Sequence, residues 1–135
     1  MKILLTILFL SLLSSPSWSE TFDDLVQRDG VYYKKFSNVP FSGKITGLPK
    51  GSIKNGKFDG EWVGYWEDVQ LMWKGNYKNG KREGAWAGYD STGQLLYEGH
   101  YKNGKKEGDW DGYNKDGTVD KERTGTFKDG EKISD

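Results

Sequence analysis

The chain has 135 residues, room for one domain or one short repeat array. Twenty Lys/Arg balance twenty Asp/Glu, so no global charge favours nucleic acid, and the absence of cysteine removes disulfides and cysteine lipidation. Nineteen glycines with six Trp and eight Tyr speak against a helical core, where each glycine costs about 1 kcal/mol, and against disorder, which lacks such aromatics.

Residues 1–19 read as a secretory leader. Lys2 gives the positive start, Ile3 to Leu13 form an apolar run broken by Thr6 and Ser11, and Ser17-Trp18-Ser19 sets small residues for cleavage before Glu20. A membrane anchor is the alternative, but the run is about half the roughly 20 residues a span needs. A cleaved leader implies a periplasmic or secreted protein with no transmembrane segment left.

Residues 20–40 form a separate segment. Phe22 to Gln27 suits a short helix or an extended lead-in, and Asp29-Gly30 turns into a strand over Val31 to Phe36. Its expected job is to cap the first open edge of the repeats downstream.

From Phe41 the chain repeats. A partial unit, 41–50, precedes full units at 51–74, 75–98 and 99–124 and a truncated unit at 125–135. Each full unit centres on Asn-Gly: Asn55-Gly56, Asn79-Gly80 and Asn103-Gly104, with Asp129-Gly130 closing the series. These pairs suit two-residue type I′ turns, so each unit predicts a β-hairpin. Pairing about Asn79-Gly80 sets Lys78 against Lys81, Tyr77 against Arg82 and Gly75 against Gly84. Alternation then collects Leu71, Trp73, Gly75, Tyr77, Gly84, Trp86 and Gly88 on one face, with the polar residues on the other. Gly60, Trp62, Gly84, Trp86, Gly108 and Trp110 are the structural signature, the glycines leaving room for rings of the next hairpin to lie flat. Second turns fall at Ser91-Thr92-Gly93 and Lys115-Asp116-Gly117. The expected fold is all-β, an elongated antiparallel meander of stacked hairpins.

The motif Tyr-Lys-Asn-Gly-Lys-x-x-Gly-x-Trp-x-Gly-Tyr resembles MORN repeats, most closely the bacterial variant in proteins called YwqK-family antitoxins. The resemblance covers about Phe41 to Ile133, and Asp29 to Lys44 resembles the lead-in of such arrays. It implies a hairpin array, protein scaffolding and membrane-lipid contact, and it brings in an antitoxin or immunity role as an alternative.

Catalytic signals are sparse. His100 is the single histidine, on the polar face by alternation, with no cysteine nucleophile, no serine elbow and no zinc-ligand set. Asp59, Glu83 and Glu107 recur before a glycine, beside Lys57, Lys81 and Lys105. Such regular rows lack the asymmetry of a glycosidase pair and the spacing of a calcium loop, and read as solubilising. No enzyme activity, metal or cofactor is expected.

Two sets of contact residues stand out. Lys78, Lys81 and Arg82, with Lys102, Lys105 and Lys106, cluster at the hairpin tips and suit anionic headgroups or polymers. Tyr65, Tyr89 and Tyr113 have the opposite parity to Trp62, Trp86 and Trp110, so they face away from the core. The expected function is a non-catalytic binding or scaffolding module for a protein or envelope partner, with lipid or glycan contact. A carbohydrate- or cell-wall-binding module using the Tyr/Trp ladder is the alternative.

Overall fold

A computed structural model describes residues 19–135; the expected leader, residues 1–19, lies outside these but for Ser19. Among the described residues no helix is long and apolar enough to cross a membrane. The chain forms strands β1 (Ser19–Glu20), β2 (Leu25–Arg28), β3 (Val31–Lys34), β4 (Gly43–Ile45), β5 (Lys50–Lys54) and β6 (Lys57–Tyr65). It continues through β7 (Leu71–Lys78), β8 (Lys81–Tyr89), β9 (Leu95–Lys102), β10 (Lys105–Gly112), β11 (Gly125–Lys128) and β12 (Glu131–Ser134). One sheet of ten strands runs β1-β4-β5-β6-β7-β8-β9-β10-β11-β12, and β2 with β3 makes a separate hairpin. From β4 onward every neighbour is antiparallel and consecutive in this order, the all-β meander expected. Only β1 lies parallel to its neighbour, β4.

The turns follow from their residues. Asn55, Asn79, Asn103 and Asp129 sit at φ between 49° and 50°, each followed by a glycine at 77° to 88°. Both positions of a type I′ turn need positive φ, which Asn-Gly and Asp-Gly supply with least strain.

Register differs from the simple hairpin count. Beyond Asn76↔Glu83 the next pair is Gly75↔Trp86, not Gly75 with Gly84. Gly84 and Ala85 form a bulge, with Gly84 at φ 76°; Gly60 and Gly108 hold 72° and 73° at the matching positions. Two added residues leave side-chain parity intact, so Trp86 still reaches the expected face.

That face is a chequer of rings and glycines. Trp62↔Gly75↔Trp86↔Gly99 form one row across the strands, and Gly64↔Trp73↔Gly88↔Tyr97 the next. Each tryptophan of the first row lies over the glycine of the strand before it. A Cβ on Gly75 would stand 2.1 Å from the Trp86 ring, and one on Gly99 2.2 Å from Trp110. The indole N–H then donates to the next carbonyl, from Trp62 to Ser52, Trp86 to Asn76 and Trp110 to His100, at 3.0 Å each. Tyr77 and Tyr101 meet Trp86 edge-on at 5.2 and 5.8 Å. Stacked this way, the three tryptophans are 0 to 3% exposed in a sheet with few aliphatics.

The opening segment does more than cover an edge. A 3-10 turn, Phe22–Asp24, is closed by the Thr21–Asp24 capping box. It sets Phe22 5.8 Å from Trp62, and Tyr32 stacks on Phe58 at 5.5 Å. The β2–β3 hairpin thus covers the aromatic face of the first unit, while two-residue β1 alone lies along the β4 edge.

Candidate functional site

The meander gives the sheet two long edges, one made of Asn-Gly tips and the other of connecting loops. At the tip edge Lys54↔Lys57, Lys78↔Lys81 and Lys102↔Lys105 stand directly opposite each other. All six are exposed and none forms an ion pair among the described residues. Like charges in that position destabilise a strand pair, and here three successive hairpins carry them. Neighbouring strands lie about 4.8 Å apart, so the lysines form one column. Lys54 and Lys57 join the set expected from the sequence; the shared Lys-Asn-Gly-Lys string is the signal for them.

Arg82 and Lys106 leave that set. They occupy the repeat position of Phe58, which stacks on Trp62 at 4.0 Å. Arg82 accordingly lies 4.5 Å over Trp86 and donates to the Tyr101 hydroxyl at 3.0 Å. Lys106 lies 4.4 Å over Trp110, and burial, then the charge of Arg123, hold its ammonium below the usual lysine range. Arg82 stands opposite Tyr77 and Lys106 opposite Tyr101, so alternation puts both on the aromatic face, where they serve as cation–π lids.

The acidic row also has a task beyond solubility. The Glu83 carboxylate accepts the Asn103 N–H at 2.8 Å, and that of Glu107 accepts the Asp129 N–H at 3.0 Å. The Ser42 hydroxyl does the same for Asn55 at 2.8 Å. In parallel, the tip N–H groups of Gly80, Gly104 and Gly130 donate to the carbonyls of Phe58, Arg82 and Lys106 at 2.9 Å. Each of these tips is therefore bonded to the hairpin before it. These bonds fix the Glu83 and Glu107 carboxylates on the turns, and among the described residues neither forms an ion pair with a lysine of the column.

The loop edge is built differently. Tyr65, Tyr89 and Tyr113 stand next to it, opposite Leu71, Leu95 and Val119, half-buried and without ring contact to the tryptophans. The Lys50 ammonium covers Tyr65 at 5.0 Å. Loops 66–70, 90–94 and 114–118 close on themselves, Trp66, Asp90 and Asn114 donating N–H to Gln70, Gln94 and Thr118 at 2.8 to 2.9 Å. Beside the first loop a concavity of about 540 Å³ is lined by Tyr65, Trp66, Glu67, Asp68, Met72 and Ser91.

A shallow trough of about 360 Å³ crosses the polar face over Ala85 and Ala87, with Lys74, Tyr89, Glu98, His100 and Asp111 along it. His100 pairs across the strands with Ala85 and Glu107, and among the described residues no hydroxyl is bonded to it. Among the described residues no cluster of His, Asp or Glu is arranged to hold a metal. Comparison of the chain with protein-family models, curated proteins and solved structures returned no match.

Proposed function

We propose that the protein is an exported, non-catalytic binding module of MORN type that docks by its tip edge on a phosphate-bearing component of the cell envelope. The lysine column carries this reading. Six exposed ammonium groups on three stacked hairpins repel one another, and an anionic surface or polymer relieves that repulsion. The rigid tip-to-tip hydrogen bonds hold the column in place beforehand, which lowers the entropy lost on binding.

Binding of the purified protein to inorganic polyphosphate, and separately to vesicles of phosphatidylcholine with phosphatidylglycerol, tests it and tells polymer from bilayer. Affinity is expected to fall as salt rises and to drop at least about tenfold in a Lys78→Glu, Lys81→Glu, Lys102→Glu, Lys105→Glu variant. Equal binding by that variant, or none by the unaltered protein, overturns the reading.

A cell-wall module using Tyr65, Tyr89 and Tyr113 is the second reading, supported by their lack of contact with the tryptophan ladder. Retention on peptidoglycan that disappears when all three become Ala favours it over the first.

A further inference from the structure

The three loops of the loop edge share one backbone and differ in what they carry. In each, the fourth residue donates N–H to the first: Val69 to Trp66, Gly93 to Asp90 and Gly117 to Asn114, at 2.9 to 3.0 Å. That fourth residue has φ of 62°, 87° and 84° in turn. Two loops place glycine there, whereas the first places valine, a β-branched residue for which the left-handed region costs about 1–3 kcal/mol. Val69 recovers nothing by burial, being 74% exposed.

The first position departs as well. Asp90 caps its loop, its carboxylate accepting from the Thr92 N–H and hydroxyl and from the Gln94 N–H at 2.6 to 2.9 Å. Trp66 cannot accept such bonds, and in its loop the third residue, Asp68, accepts the Gln70 N–H at 3.2 Å, as Asp116 accepts the Thr118 N–H in loop 114–118. The Trp66 indole N–H instead donates to the Tyr89 carbonyl of the following unit, 3.2 Å away. The ring so placed forms a wall of the concavity with Tyr65 and Met72. One loop in three thus places an exposed valine where its sisters have glycine, and an aromatic wall where they have Asp or Asn. Such a departure is where function is expected to override folding.

The mouth of the pocket says what fits. Glu67 and Asp68 line it, both exposed and in no ion pair among the described residues. Two carboxylates against one ammonium, that of Lys50 over Tyr65, leave the apolar hollow with a net negative rim, which disfavours an anionic bilayer and favours a cation next to an apolar group. We infer that loop 66–70 and its pocket are a docking site for a partner-protein segment that presents an apolar side chain next to lysine or arginine. This goes beyond the proposed function and does not depend on the lysine column, which lies on the other edge.

The test uses the full chain and an immobilised panel of twelve-residue peptides with Leu, Val or Phe flanked by Lys or Arg. Matched peptides with Glu in place of the cations serve as controls, and vesicles of phosphatidylcholine and phosphatidylglycerol run alongside. The decisive variant is Trp66→Asp with Val69→Gly, which gives the loop the first and fourth residues of loop 90–94, and its melting temperature is measured beside its binding. Basic-apolar peptides are expected to bind about tenfold or more tightly than their acidic controls, and that variant to lose about tenfold or more. Glu67→Lys with Asp68→Lys is expected to lose binding while melting unchanged. The inference is overturned if no basic-apolar peptide binds, if the Trp66→Asp, Val69→Gly variant binds equally well, or if these substitutions act only on vesicle binding or self-association.

Discussion

The two edges of the sheet are built from the same strands and obey opposite rules. At the tip edge each turn is bonded to the hairpin before it, through the glycine N–H and, at Asn103 and Asp129, through a carboxylate of the previous unit. A changed tip therefore disturbs its neighbour, and the units keep Asn-Gly flanked by lysine. At the loop edge the backbone of each connection closes within itself, and the first loop reaches the next unit through a side chain, the Trp66 indole on the Tyr89 carbonyl. The loop backbones do not bond to one another among the described residues, and there the units diverge: loop 66–70 carries Trp66 and Val69, and the third unit holds two extra residues before Gly125. In stacked-repeat proteins, variation collects where it is structurally cheapest, and binding surfaces collect with it.

Both edges hang on one aromatic ladder, so the largest expected effect is shared. Trp86→Ala should destabilise by about 3–5 kcal/mol and raise amide exchange at both edges alike. Exchange raised at one edge only would mean that the ladder is not common to them.

Substitution of the bracing carboxylate separates the edges. Glu83→Ala removes the acceptor for the Asn103 N–H and should cost about 2 kcal/mol. Asp59→Ala should cost less in denaturant unfolding, because Asp59 accepts no hydrogen bond among the described residues. Equal effects would show that the Glu83 carboxylate does not brace the next turn.

At the loop edge the sign reverses. Val69→Gly relieves a left-handed valine at φ 62° and should stabilise by about 1 kcal/mol, seen as a higher melting temperature. A drop would show that Val69 holds the loop.

The smallest effect is acid sensitivity. Hydrogen bonds from Thr92, then Gln94, hold the Asp90 carboxyl below its ordinary range, and the Thr118 hydroxyl and N–H do so for Asp116. A depressed folded-state pKa gives stability that is complete above the unfolded value, about 3.9, and is lost as pH falls through the folded one. Melting temperature should therefore fall below about pH 4, and less steeply in Asp90→Asn with Asp116→Asn.

The contrast between the edges also explains what the sequence discloses. Asn-Gly turns and the Gly-x-Trp-x-Gly strand act through local geometry and alternation, so hairpins, meander and glycine seats for the rings are legible in it. The bulges at Gly60, Gly84 and Gly108 are not, because a two-residue insertion leaves parity unchanged and no trace in the pattern. Arg82 and Lys106 read as tip cations because they adjoin the Lys-Asn-Gly-Lys string, yet alternation sets them on the face of Trp86 and Trp110, over which they lie. The bonds from Glu83 and Glu107 to the next turn join residues about twenty apart, beyond any local pattern. Trp66 and Val69 are visible once the three loops are aligned, but their meaning depends on the positive φ that only the structure shows.

An anionic partner that meets the tip edge, and not the loop edge, leaves a distinct footprint on the backbone. Amide chemical-shift mapping of the isotope-labelled protein titrated with inorganic polyphosphate reads that footprint residue by residue. Shifts are expected to saturate together at Lys54, Lys57, Lys78, Lys81, Lys102, Lys105 and the intervening Asn-Gly turns, with loop 66–70 unmoved. Shifts centred on that loop, or spread evenly over both edges, would contradict docking by the lysine column.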